Sequence, residues 1–569
     1  MGPADRQIEV LAEVRAYPQD YQFVTPALRP SEVWKSIPWK KYQRNVFRLQ
    51  KRIYQAKQRG DVRTVHNLQR LLLRSRSARF LAVRRVSQDN RGKRTSGVDG
   101  VASLTPKQRL KYARYLRHLD RAADPVRRMY LSKSDGGQRP LGIPTMLQRA
   151  YQALVKLALE PEWEAVFEPN SYGFRPGRSP HDAIEAVFNF IRLKPKFVLK
   201  ADIEKCFDKI DHQALIDKLF TIQPITKLVR GWLKAGIVDQ DQTLFPETGL
   251  AQGGVISPLL MNIALHGLEE DLLKAYPKRH KPAVVRFADD VVILHHDPDQ
   301  LQQVKQQAEA WLSQMGLQLN PTKTYIGHTL NEHEGQAGFD FLGFNIRQYH
   351  VGRYKTRTHR GQAGFKTLIR PSKQAQNRHL AHLKQVIRDY RGSSQGGLIG
   401  KLNPIIRGWA NYYKTCSSKA IFNKMTAQLY YKLRRWAAFR HPRKWPKWCY
   451  RRYWKRLDGL IRFTDGEHYL FQYEHTKIRR HTKVIGSKSP FDGDWLYWAQ
   501  RLQQHPLKPQ RVVKLLKWQR GKCEDCGLPF STEDVLEVHH INGNHSDNRY
   551  MNLSLLHGHC HDIAHVARC

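Results

Sequence analysis

The sequence predicts a multidomain α+β protein, on three observations. The chain has 569 residues, more than a single hydrophobic core organises. Residues 130–365 mix short β-branched runs with Gly- and Pro-rich turns, whereas 34–85 and 366–440 repeat apolar residues every three or four positions. After residue 506, cysteines and histidines gather in close pairs.

Composition narrows the function. Lys plus Arg number 96 and Asp plus Glu 50, for a net charge of +46. The charge is spread along the whole chain, which favours a nucleic-acid partner over a membrane surface. No run of about 18 apolar residues exists, so no transmembrane helix is expected. The opening "MGPADRQIEV" has no apolar core, so no export signal is expected. Seven cysteines are too few for a disulfide scaffold, and Cys523, Cys526 and Cys560 stand among histidines. That pattern points to a reducing compartment and a metal site.

Residues 1–85 read as an N-terminal helical extension, irregular to about 30 and then basic and periodic, suited to gripping RNA. Residues 86–365 read as the catalytic body. There "VVRFADDVVILHH" sets Asp289 and Asp290 between two strand-like runs. Ala-Asp-Asp can be a solvated turn tip. Carboxylates on a rigid strand pair can also fix Mg²⁺, provided a third sits on another buried strand. "KFVLKADIEKCFDKIDH" supplies Asp202, just past a strand, and the Ile203 carbonyl could add an oxygen ligand.

Neighbouring motifs suit a nucleotide pocket. Phe207 could close against a sugar. "SKSDGGQRPLGIP" carries Lys133 and Arg139, both phosphate-binding types. "AQGGVISPLL" places Gln252 beside glycines that let backbone approach a ligand.

Residues 366–440 return to helical periodicity, and in "LNPIIRGWANYYK" the polar Arg407, Asn411 and Lys414 fall between core positions and could reach RNA. Residues 441–505 open with "HPRKWPKWCYRRYWK", which suits base stacking and phosphate contact, or equally a Trp-rich core under a basic skin. In 506–569, Cys523 and Cys526 form one C-x-x-C pair, and His557 and Cys560 a second of equal spacing. Four N/S ligands in two pairs are the signature of a structural Zn²⁺ site, with Cys569 and His559 as substitutes.

In order, "RPLGIPT", "NSYGFRPGRS", "ADIEKCFD", "QGGVISPLL", "FADD", "LNPTKT" and "FDFLGF" resemble the successive polymerase motifs of group II intron-encoded proteins, which are reverse transcriptases with maturase activity. The resemblance runs from about 35 to 569. It implies right-hand fingers and palm over 86–365, a helical thumb or maturase domain over 366–440, and a small DNA-binding region over 441–505. It also implies two Mg²⁺ ions on Asp202, Asp289 and Asp290. Lys133 and Arg139 would contact the triphosphate, Phe207 would be a steric gate for dNTPs, Gln252 would line the nucleotide site, and Lys323 would be a supporting base. The family usually has Tyr where Phe287 stands and Pro where Ala251 stands. The first change touches no ligand; the second should loosen the loop.

The tail, with "LEVHHI", "MNL" and "CHDIAH", resembles an HNH endonuclease, a ββα-metal fold. That implies His540 as general base, Asn552 as an orienting residue, and one catalytic divalent ion on His539, His561 and His565. The implied partners are group II intron RNA, target DNA and dNTPs, with no membrane. The implied setting is a nucleoid-associated ribonucleoprotein in a bacterial cytoplasm. Monomer and dimer stay open. A co-opted reverse transcriptase, a splicing-only RNA-binding cofactor and a DNA nuclease with a passive polymerase body are the rival readings.

Overall fold

The computed structural model describes residues 29–132, 137–240, 242–277, 280–351, 364–457, 459–503, 508–530 and 534–566. Lys133 and Cys569 lie outside the described residues.

The basic periodic stretch is a set of four helices: Pro30–Lys35, Trp39–Gln58, Val62–Arg74 and Arg76–Arg84. Local chemistry sets the breaks. Pro38 stands before the second helix, and Asp61 caps the third by accepting from the Thr64 N–H at 2.9 Å. The inner stripe, with Val46, Ile53, Val65 and Leu72, joins one core with helix Met146–Glu164. That helix is buried on nearly every side, so its polar groups need partners. Glu162 takes Lys57 at 2.9 Å and the Gln69 amide at 2.6 Å.

Fifteen strands, β1 to β15 in chain order, form five sheets among the described residues. The first is ordered β2-β1-β4-β5: Gln138–Ile143, Val126–Ser132, Ile237–Asp239 and Gln242–Leu244. The central sheet is ordered β6-β7-β3-β8: Ala283–Phe287, Asp290–His295, Phe197–Asp202 and Tyr325–His328, all antiparallel. Its strands are mostly apolar along their middles because both faces are covered, and the charged residues Asp202 and Asp290 fall at strand ends. Leu199, Val291 and Ile293 enter the core shared with helix Met146–Glu164; Val198, Val292 and Leu294 enter a second core with helix Pro180–Ile191.

A third sheet, β9 (Phe339–Phe341), β10 (Phe344–His350) and β11 (Phe365–Pro371), continues into helices Lys373–Asp389, Gln395–Tyr413 and Lys419–Arg440. The expected boundary at 365/366 therefore cuts β11. Its true break is Ser372, whose side chain caps the next helix. Helix Pro446–Tyr453 and the hairpin β12–β13 (Trp454–Leu457, Leu460–Phe463) follow. The chain then straps back across the central body, where fully buried Asp182 accepts from the Val484 N–H at 2.8 Å and from Arg501.

Helix Trp495–Gln503 ends two residues before the expected 505/506 boundary and packs into cores on both sides of it. Its Trp498 belongs to the second core and its Leu502 to a third, C-terminal core. That last core holds helix Gln510–Trp518, the hairpin β14 (Leu536–His540) and β15 (Leu553–His557), and helix Gly558–Val566. A ββα unit thus closes the chain. No described helix is long and apolar enough to cross a membrane.

Candidate functional site

The central sheet brings three carboxylates together. In the β3–β7 register Asp202 faces Asp290, and Asp289 occupies the turn between β6 and β7. The stretch is thus both a hairpin turn and a carboxylate cluster. Two hydrogen bonds fix it: the Ile203 N–H donates to the Asp289 carbonyl at 3.1 Å, and the Asn320 N–H to the Asp202 carbonyl at 2.7 Å. Burial first, then Asp290 and Asp202, push the Asp289 carboxyl above its usual pKa; Arg139 opposes them. Three carboxylates converging at one point are oxygen donors of the kind divalent cations take.

The turn is braced from behind. Ala288 has φ 59°, a strained value for a residue with a Cβ. Gly173 lies against it, and a Cβ on residue 173 would collide with the Ala288 nitrogen. The Tyr172 N–H donates to the Arg286 carbonyl at 2.9 Å, and the Arg286 N–H to the Asn170 carbonyl at 3.0 Å. Buried Arg286 reaches Glu168 at 3.5 Å and Asn262 at 3.2 Å. "NSYGFR" is therefore an extra strand edge that holds the hairpin.

Other expected pocket residues surround this cluster. Arg139 is exposed on β2. Phe207 is half-buried, edge-on to exposed Phe174 with ring centroids 6.4 Å apart. The Gln252 carbonyl accepts from the Gly142 N–H at 2.7 Å, tying its loop to β2. The Ala251 carbonyl accepts from Gly254 at 3.2 Å and Ser257 at 2.8 Å, so hydrogen bonds hold the loop where proline was expected.

Lys323, expected as a supporting base, stands beside the carboxylates. Its ammonium sits 3.0 Å from Asp202 Oδ2, and that hydrogen bond raises its pKa. Sequence reasoning missed Lys200, which meets Asp290 Oδ1 at 2.6 Å. Its place two residues before Asp202 on the same strand was the available signal.

The helical region separates its three candidates. Arg407 is exposed, 5.4 Å from the Phe471 ring. Asn411 is half-buried and accepts from Lys414 at 3.1 Å. Lys414 is buried, contrary to expectation, because the returning strap crosses it: the Arg479 N–H donates to its carbonyl at 2.8 Å. In the next segment the two sides differ. Cys449, Tyr453 and Trp454 are buried, whereas Trp445 and Trp448 are exposed amid arginines and lysines.

The C-terminal unit carries two further clusters. Cys523, Cys526, His557 and Cys560 are all buried, with ligand atoms within 4.8 Å of one another. Three sulfurs and an imidazole are donors of a tetrahedral metal centre. His557 turns Nδ1 to Cys526 Sγ at 3.3 Å and Nε2 to Asp534 at 3.3 Å, so a carboxylate orients the ligand ring. His559 stacks on His557 at 5.1 Å and lies outside the set.

His539, His561 and His565 form the second cluster, from β14 and one face of the last helix. Glu537 holds His561 Nδ1 at 2.6 Å. Beside it, His540 keeps both ring nitrogens buried and without a hydrogen-bond partner among the described residues. Asn552 pins the loop after β14, accepting from the Asn542 N–H at 2.9 Å and donating to the Asp547 carbonyl at 2.9 Å.

Comparison with known families agrees with the central geometry. Residues 131–346 match the model of the reverse transcriptase (RNA-dependent DNA polymerase) family. Residues 34–116 match the N-terminal domain of reverse transcriptase, and 376–454 the group II intron maturase-specific domain. Protein YkfC of Escherichia coli is 31% identical over 49% of this chain and 83% of its own length. Group II intron-encoded protein LtrA of Lactococcus lactis is 35% identical over 37% of this chain and 36% of its own length. Maturase-like protein 1 of Euglena gracilis is 26% identical over 67% of this chain and 77% of its own length.

Proposed function

Because the chain belongs to the reverse transcriptases that carry a group II intron maturase-specific domain, we propose that it serves a mobile group II intron as polymerase, splicing partner and DNA endonuclease. It would bind the intron RNA and promote its splicing. Its C-terminal domain would nick target DNA, and its polymerase would copy the RNA from the freed 3′-OH. The observation that carries the polymerase reading is the facing of Asp202 and Asp290 with Asp289 at the turn.

The carboxylate trio fits Mg²⁺, which when bound would lower the pKa of the primer hydroxyl and neutralise the leaving pyrophosphate. The protein's own share is placement. Gly173 and the Arg286 brace fix the turn, and Ile203 ties it to β3. Arg139 is a fork for triphosphate oxygens. Phe207, backed by Phe174, walls the sugar side and would select against a 2′-OH. Lys323 and Lys200 balance the carboxylates when the metals are away.

At the C-terminus the Cys₃His set fits structural Zn²⁺, and the three-histidine set fits one catalytic divalent ion. His540 has free nitrogens, as a base that takes a proton from water must. The ββα order and the two metal-type clusters support an HNH nuclease.

Two substitutions separate the roles. Asp289→Ala should abolish cDNA synthesis on an RNA template while splicing of the bound intron continues. Equal loss of both would defeat the division of labour. His540→Ala should stop DNA nicking and leave primer extension intact; persistent nicking would remove His540 as the base.

A further inference from the structure

We infer that the cleft between the N-terminal helices and the C-terminal unit is a seat for single-stranded DNA. This rests on the nuclease reading above and deepens it: the seat would hold the strand on its way to or from the histidine cluster.

The cleft is a cavity of about 940 Å³. Helix Trp39–Gln58 forms one wall, the strap and helix Trp495–Gln503 a second, and the metal knuckle a third. Its aromatic centre is Phe47 and Trp495, with rings 4.4 Å apart and tilted by 49°. Trp495 is 38% exposed, so it has a face to offer. Arg48, Lys51, Arg520 and Lys522 line the same cavity, from two walls that are distant in sequence. None of these four cations pairs with a described carboxylate. The two carboxylates in the lining are both engaged: Asp89 with Arg84 at 3.4 Å and Asp534 with His557 at 3.3 Å.

Unpaired cations around exposed aromatic faces match a ligand with repeating phosphates and flat bases. A cavity of this size admits one or two nucleotides, not a duplex. DNA is the occupant chosen because His557 and Gly558 wall the cleft, and Gly558 opens the helix that carries His561 and His565. Arg84 lines it and also holds Asp562, the residue after His561, at 3.0 Å.

The test uses the full chain and a decamer of thymidine carrying one photoreactive 5-bromodeoxyuridine. Crosslinked peptides should map to 39–58 and 490–503. Trp495→Leu should weaken binding by about 5- to 100-fold, the range for one lost stacking platform. Trp495→Phe, which keeps an aromatic face and guards against a folding artefact, should recover most of it. Arg48→Gln with Lys522→Gln should flatten the salt dependence by about 0.7 per lost phosphate contact. Crosslinks confined to other surfaces, or unchanged affinity in Trp495→Leu, would overturn the proposal. Tighter crosslinking of a uridine decamer at the same peptides would assign the cleft to RNA and overturn the choice of DNA. Nicking by the same preparation separates the two readings. Crosslinks without nicking would fell the nuclease and leave the seat; nicking without crosslinks would do the reverse.

Discussion

At the scale of the residue, Gly173 shows how a loop position controls chemistry it never touches. The turn that carries Asp289 needs a left-handed Ala288, and the loop behind it comes close enough that no Cβ fits at 173. Gly173→Ala should therefore push the turn by a fraction of an ångström to an ångström. A misplacement of that size costs roughly a hundredfold in rate. Steady-state primer extension should show the loss in kcat with KM for dNTP little changed, and because the clash is with backbone the melting temperature should fall by a few degrees. A loss in KM alone would mean that the brace acts on the nucleotide and not on the carboxylates. The three aspartates were legible in the sequence because each sits at the end of an apolar run long enough for a buried strand. Lys200 was not, because alternation along a strand says which face a side chain takes but not which charge lies across the sheet. Lys414 misled for a similar reason: helical spacing marks it as polar and outward, and only the strap from a remote segment covers it.

At the scale of the element, Arg84 is the clasp between the first helices and the last. Its side chain is 6% exposed, lies 5.0 Å from the Trp39 ring, and meets Asp89 at 3.4 Å and Asp562 at 3.0 Å. Removing it takes one of two nearby arginines from half-buried Asp89, Arg85 being the other, and strips Asp562 of its partner, so the cost exceeds that of a fully exposed pair. Arg84→Met should raise amide exchange of helix Gly558–Val566 by about 5- to 30-fold, as a docking loss of about 1–2 kcal/mol implies. The exchange of Arg84→Asp with Asp562→Arg should restore part of it, and strict additivity of the two would deny the contact. Sequence spacing found the helices on both sides of this clasp but not the clasp. Periodicity reports which face is buried, not what buries it. The same limit explains β11. Phe365–Pro371 looked like the head of a helical domain, and pairing with β10 makes it a strand.

At the scale of the whole molecule, buried histidines make the body acid-sensitive before its carboxylates do. His181 sits among Phe344, Tyr412 and His481, and donates to the Tyr412 carbonyl at 2.7 Å. His379 stacks on Trp409 at 4.8 Å and bonds the Tyr473 hydroxyl at 2.5 Å. Burial lowers each from 6.5 to about 4. Both are thus neutral in the fold, and the unfolded chain takes up the protons first. Their contribution is complete above pH 6.5, is lost as pH falls from there to about 4, and changes no further below. A shift of that size corresponds to about 3 kcal/mol for each group. A second loss should follow in stronger acid. Burial pushes Glu168 up, but hydrogen bonding to His266 and the charge of Arg286 outweigh it and hold it at about 2. Its stabilisation is present above 4.5 and disappears as pH drops towards 2. Surface charge adds repulsion to a chain already at +46. Salt separates the two causes, since about 0.5 M KCl screens surface repulsion and leaves burial untouched. Burial raises Glu185 and Glu269 to about 7, so each gains stability as pH falls from there to 4.5 and opposes the histidines. Urea unfolding at pH 7, 6, 5 and 4 in that salt therefore isolates the histidine share as the difference between the parent chain and a variant. His379→Gln, which keeps a partner for Tyr473 and cannot titrate in this range, should lose its part of that share. Identical pH profiles for the parent chain and His379→Gln would mean that this imidazole protonates within the fold, and that its packed site opens far more readily than its burial implies.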